Sequence, residues 1–78
     1  MINIYVYGCK GCGLTGIRLR AARKYASKIG EELIIHETKY DRVQEFKQIE
    51  LLKSIGITDR YENIVEHDGV VSTLKEWN

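Results

Sequence analysis

Two cysteines two residues apart, Cys9 and Cys12, stand where an apolar run meets a helical pattern, and they are the chain's only cysteines. The run Ile2-Asn3-Ile4-Tyr5-Val6-Tyr7 leads straight into them, and a helical periodicity starts inside the motif. A Cys-x-x-Cys pair at a strand-to-helix turn constrains both fold and chemistry. One helical turn sets two Cα atoms about 5.5–6 Å apart, the span a disulfide needs. The first N–H groups of a helix lack partners, and with the helix dipole they stabilise a thiolate placed before them. Lys10 adds a positive charge beside it. Such surroundings lower a cysteine pKa from about 8.5 into the range of roughly 3.5–7.5. Cys9 is therefore the candidate nucleophile. Cys12, expected within the first helical turn and shielded there, is the candidate resolving thiol. Half of a metal site, or two inert packed thiols, also fit the same residues. Next to a strand–helix–strand pattern, redox chemistry is the first reading.

A chain of 78 residues makes one small domain, 1–78, with a thin core that buries about 60% of the unfolded surface. No apolar run approaches the roughly 18 residues of a membrane span. The N-terminus lacks the basic-then-apolar pattern of a signal peptide, so a reducing cytoplasm is the expected compartment. A lone cysteine pair there points to catalysis more than to a structural staple. The net charge of +1 hides an asymmetry. Residues 1–30 carry Lys10, Arg18, Arg20, Arg23, Lys24 and Lys28 and no acid, whereas residues 31–78 carry six basic and eleven acidic residues. The cysteines thus belong to the basic part, which favours the thiolate and an anionic partner. Arg20, Arg23 and Lys24 also fit a plain solvated helix face.

Along the chain, residues 2–7 read as a strand buried on both faces. Gly8, Gly11 and Gly13 give the cysteine turn backbone freedom. From Cys12 to about Ile29 the pattern is helical, with Leu14, Ile17, Ala21, Tyr25 and Ile29 as the buried stripe, widened by Ala22 and Ala26. Arg18 falls in that arc and should lay its stem on the core. Gly30 ends the helix. Residues 33–38 form a second strand, parallel to the first across a right-handed crossover. Asp41 and Gln44 suggest a capping box. Val43, Phe46, Ile49, Leu52 and Ile55 would be the buried face of a second helix, stopped by Gly56. Residues 61–66 make a third strand, Asp68-Gly69 a hairpin turn, and Val70-Val71 the start of a short fourth strand. A terminal helical turn over Thr73–Glu76 closes the chain, with Trp77 folding back. The predicted class is α/β, βαβαββ, with a four-stranded mixed sheet, two main helices and a short C-terminal turn.

This order, with Ile4-Tyr5 leading to Cys9-Lys10-Gly11-Cys12 and with Ile64-Val65-Glu66-His67-Asp68-Gly69, resembles the thioredoxin-like fold of glutaredoxins and the small glutaredoxin-like thioredoxins. The resemblance implies a glutaredoxin-type sandwich and dithiol–disulfide exchange. Cys9 would attack a substrate disulfide and Cys12 would release the product. It implies no bound cofactor. Its reductant would be glutathione or a thioredoxin-reductase-like flavoenzyme. Its substrates would be disulfide-containing proteins, of which ribonucleotide reductase is a common one in the family, and the protein would act as a monomer. By position, Lys10, Gly11, Glu62, Asn63 and Ser72 would contact the substrate.

The chain departs from the family in three places. It contains no proline, and Asn63 falls where the family's cis-proline faces the cysteines. A cis bond before a non-proline residue costs about 3–4 kcal/mol, so a trans bond is expected. Lys10-Gly11 replaces the family's usual dipeptides. Ser72-Thr73 stands near the place of the Gly-Gly that helps to hold glutathione.

Two other classes compete. Cys9, Cys12, His36 and His67 are zinc-ligand types, but the histidines lie 31 residues apart and on separate predicted elements. A cluster bridging two chains through the cysteine motif is the other metal reading. A nucleic-acid module would use the basic helix with Tyr5, Tyr7 or Tyr25 stacking, although no nucleic-acid motif is visible.

Overall fold

The computed structural model describes residues 1–77. Its elements are β1 (Ile2–Val6), α1 (Gly13–Ile29), β2 (Leu33–Glu37), α2 (Arg42–Ser54), β3 (Ile64–His67), β4 (Val70–Thr73) and one 3-10 turn (Leu74–Glu76). The strands form one mixed sheet in the order β2-β1-β3-β4. β1 lies parallel to β2, with Ile2 opposite Leu33 and Val6 opposite Glu37. It lies antiparallel to β3, with Ile2 opposite His67 and Tyr5 opposite Ile64. The βαβαββ order and the mixed sheet are those predicted. Among the described residues no helix is long and apolar enough to cross a membrane.

The two-residue period of β1 divides the core. Ile2, Ile4 and Val6 point to α1, where they meet Leu19, Ala22, Ala26, Val65 and Leu74. Tyr5 points to the other face and packs with Leu52 and Ile64. The β3–β4 turn uses left-handed backbone at both Asp68 (φ 51°) and Gly69 (φ 84°), the conformation that Asp-Gly favours. Gly30 (φ 71°) ends α1, and Glu31 N–H closes back on Ala26 O at 2.9 Å.

The helix faces differ from prediction. α1 buries Gly16, Leu19, Ala22 and Ala26, while Leu14, Ile17, Tyr25 and Ile29 stay 40–62% exposed. The buried stripe therefore lies about a third of a turn from the predicted one. Small side chains let the helix approach the flat array of Ile2, Ile4 and Val6. Bulk was the wrong guide. On α2, Leu52 and Gln48 are buried, but Val43 and Phe46 are 75% and 65% exposed. A strict three-residue step turns about 60° per step on a 3.6-residue helix, so five such residues cannot share one face.

Local details are also corrected. β3 starts at Ile64 rather than Tyr61, because Tyr61 N–H bonds Asp59 Oδ1 (2.9 Å) and Glu62 N–H bonds Asp59 O (3.3 Å), which curls the chain away from the sheet. β4 extends to Thr73. The capping box is half formed. Gln44 N–H donates to Asp41 Oδ1, but Gln44 Oε1 is buried without a partner and Asp41 N–H turns to Thr38 O. Arg18 is half-buried, as expected for a stem laid on the core, but its Nε is buried without a partner instead of reaching solvent.

The α2 side of the sheet holds a buried polar chain. Thr38 Oγ1 donates to Gln48 Oε1 (2.5 Å), and Gln48 Nε2 donates to Glu62 O (2.8 Å). His36 stacks on Tyr5 at 4.5 Å, with Nε2 2.9 Å from Asn3 Oδ1. Burial, and then the charge of Lys47, hold His36 below the ordinary histidine range, with Asp41 opposing.

Two predictions follow from these contacts. Replacing Gln48 by Leu turns the Thr38 hydroxyl to its second acceptor, the Val6 carbonyl at 3.3 Å, and strands the Glu62 carbonyl, and should cost about 1–3 kcal/mol in urea unfolding. For His36, the folded pKa lies below the unfolded one. Its contribution is thus complete above the unfolded value of about 6.5, and is lost as pH falls from there through the folded pKa. Urea midpoints at pH 7.5 and 5.5 should differ less in His36→Phe than in the parent chain.

Candidate functional site

The core delivers the cysteines to one end of the sheet. Val6 ends β1 in full burial, and its carbonyl accepts Thr38 N–H at 3.0 Å. The next N–H, of Tyr7, donates to Asn63 Oδ1 at 3.3 Å. Beyond it the chain leaves the sheet through Gly8 and turns at Cys9–Cys12. Cys12 is the N-cap of α1, in extended conformation, and its carbonyl accepts the first helical bond, from Gly16 at 3.0 Å. The N–H groups of Gly13, Leu14 and Thr15 therefore open toward the cysteine turn. No acid stands in that first turn to oppose an anion.

The two sulfurs are bonded to each other, with Cα atoms 5.5 Å apart, and both cysteines are exposed. Exposure of Cys12 corrects the expected shielding. As the N-cap it stands one residue before the helix, and no helical turn covers it.

Gly16 makes this geometry possible, and sequence reasoning missed it. A Cβ built on Gly16 would lie 2.9 Å from the Gly11 carbonyl oxygen, because the cysteine turn folds down onto the first turn of α1. The visible signal was a glycine inside a helical pattern, where it costs about 1 kcal/mol relative to alanine unless something requires it. Of the glycines predicted to loosen the turn, Gly13 alone uses left-handed backbone (φ 49°).

The predicted contact residues fall in three places. Lys10 and Gly11 are exposed within the turn, and Lys10 Nζ lies 3.8 Å from Glu37 Oε1. Asn63 faces the turn's base. Its amide donates to Thr15 Oγ1 at 3.5 Å, its main-chain oxygen accepts Leu74 N–H at 2.9 Å, and its preceding bond is trans. Both main-chain groups of Glu62 are occupied by protein, the N–H by Asp59 and the carbonyl by Gln48, while its carboxylate lies 3.8 Å from Lys75. Ser72 sits on edge strand β4 opposite Val65, two strands away from β1.

The mixed metal set does not assemble. His36 is stacked beneath α2, and His67 lies opposite Ile2, at the other end of β1 from the cysteines. Tyr5 is 2% exposed, which removes it from any stacking platform, and Tyr25 meets Trp77 edge-on at 5.2 Å. Arg20, Arg23 and Lys24 are exposed on α1. Beside the cysteine turn runs a groove lined by Tyr7, Gly8, Glu37, Lys39, Tyr40 and Asp41. Tyr61 extends the aromatic surface, its ring 4.5 Å from that of Tyr7. Tyr40 is 92% exposed.

An ordinary helical Gly→Ala change stabilises a protein by about 0.5–1 kcal/mol. Gly16→Ala should do the reverse here, destabilising the oxidised protein by about 1–3 kcal/mol in urea unfolding, because the cysteine turn must shift. Stabilisation would show that Gly11 does not rest on this helix. No known protein family, curated protein or solved structure matches the chain.

Proposed function

We propose that this protein is a thiol–disulfide oxidoreductase of thioredoxin-like, glutaredoxin-type build. The observation that carries the reading is the exposed Cys9–Cys12 pair, 5.5 Å apart at Cα, at the N-terminal end of a 17-residue helix. The sheet order β2-β1-β3-β4, with α1 on one face and α2 on the other, supports the same reading.

In the reduced form, the Cys9 thiolate attacks one sulfur of a substrate disulfide. A mixed disulfide forms and the other substrate sulfur leaves as a thiolate, which takes a proton. The Cys12 thiolate then attacks Cys9 Sγ, closes the intramolecular disulfide and expels the second substrate thiolate. The Cys9/Cys12 pair supplies the two electrons, and the two protons the substrate thiolates take come from solvent, into which the cysteine thiols release theirs on ionising. The open amides and positive dipole end of α1 favour the thiolate over the thiol. The groove beside Gly8, with Tyr40 and Tyr61 at hand, offers surface to a disulfide-containing protein; Lys10 and Gly11 lie between the two cysteines, and Asn63 bonds Tyr7 and Thr15 on either side of the turn. Glu62 and Ser72 are peripheral contacts in this reading. A thiol reductant, glutathione or a flavoenzyme of the thioredoxin-reductase kind, returns the dithiol form in a reducing compartment such as the cytoplasm.

Reduced protein should catalyse insulin reduction, and Cys9→Ser should abolish it. Cys12→Ser should accumulate a mixed disulfide with one substrate per chain, visible by intact mass. Failure to trap any adduct would remove the assigned roles. A coloured, thiol-ligated species after anaerobic purification would replace the reading with a metal centre.

A further inference from the structure

The end of the sheet away from the cysteines gathers four ionisable groups from three parts of the chain. Glu31 follows the left-handed cap of α1, His67 ends β3, and Asp68 opens the β3–β4 turn. His67 Nε2 lies 2.7 Å from Glu31 Oε2 and 3.4 Å from Asp68 Oδ2. The Met1 α-amino nitrogen lies 2.5 Å from Glu31 Oε1 and 3.7 Å from Asp68 Oδ1. Nitrogen and carboxylate donors thus alternate around a ring.

We propose that Glu31, His67 and Asp68 form a binding site for a divalent transition-metal ion, with zinc the best match. One ligand atom from each residue lies within 4.8 Å of the others. Tetrahedral zinc, with bonds of about 2.0–2.1 Å, spaces its donors about 3.3 Å apart. The His67–Asp68 edge, at 3.4 Å, has that width, and the Glu31–His67 edge, at 2.7 Å, would open by about half an ångström on metal binding. The Asp68 separations of 3.4 and 3.7 Å are too long for good hydrogen bonds, so this carboxylate faces two nitrogens without bonding either. The left-handed Asp68 turns its side chain toward His67, and Gly69 N–H, bonded to Glu66 Oε2 at 2.9 Å, fixes the turn. An imidazole among the donors selects zinc or its neighbours over magnesium or calcium. The fourth position is open to water. The ion would join the α1–β2 junction to the β3–β4 turn across 36 residues of sequence. A chain with so small a core gains from such a staple.

The inference does not depend on the redox reading, and its test removes the thiols. Zinc chloride is titrated calorimetrically at pH 7.5 into the full chain carrying Cys9→Ser and Cys12→Ser. One ion per chain should bind, and Tm should rise by about 10 °C or more at zinc one hundred times Kd. Adding His67→Gln should abolish both effects, and adding Asp68→Asn should weaken binding roughly tenfold. Magnesium chloride should not compete. Absence of zinc binding, or binding indifferent to both the His67 and the Asp68 change, would overturn the site.

Discussion

Burial of β1 on both faces and along both edges is the constraint on which the rest depends. Ile2, Ile4, Tyr5 and Val6 are at most 2% exposed, and the strand is paired to β2 on one side and β3 on the other. A strand so enclosed can leave the sheet only at its end. Because β2 runs parallel to it, the crossover helix must begin near the end where β1 stops. The cysteine turn is the short path between these two fixed points. Its location at a helix N-terminus is therefore a consequence of the parallel pairing. The setting of the two sulfurs is inherited from the topology.

What could be read in advance follows the same division. Strand order, the parallel pair and the Asp-Gly hairpin depend on short-range signals: two-residue alternation, a helix between strands, and a turn dipeptide. Each was legible. The helix faces were legible only in part: Ala22, Ala26 and Leu52 are buried as expected, but the remaining positions depend on what the helix rests against. α1 presents Gly16, Leu19, Ala22 and Ala26 to a sheet of branched residues, and the close approach favours small side chains over large ones. On α2 the centre of the buried face is a glutamine. Gln48 is there for its two polar partners, Thr38 and the Glu62 carbonyl, ten and fourteen residues away. Hydropathy assigns such a residue to solvent. Only the fold supplies the partners that make its burial tolerable.

Asn63 shows how the chain manages without proline. A proline at that position would stiffen the backbone by its ring and donate nothing. The asparagine amide instead holds two elements by hydrogen bonds, and its main-chain oxygen a third. Its Oδ1 takes Tyr7 N–H beyond β1, its Nδ2 reaches Thr15 in the first turn of α1, and its main-chain oxygen takes Leu74 N–H after β4. The floor of the cysteine turn is thus tied through side-chain polarity, across separations of 48 and 56 residues. Spacing in the sequence could flag Asn63 as unusual. It could not reveal this bracing, which exists only once β1 and β3 are antiparallel neighbours.

The same pairing changes the electrostatics of the cysteine end. Read linearly, the first thirty residues hold six cations and no acid, which suggests a positive site. In the sheet, Glu37 stands opposite Val6 and comes within 3.8 Å of Lys10. Both groups are exposed, so the pair is worth no more than about 1 kcal/mol and leaves the lysine free to swing. Lys39 and Asp41 further balance the groove. A mixed rim of this kind gives little selection by net charge. The exposed faces of Tyr40 and Tyr61 offer more discriminating contact, because rigid aromatic rings bury area at low entropic cost. The field acting on Cys9 then comes chiefly from the helix end, whose dipole and open amides no side-chain pairing can neutralise.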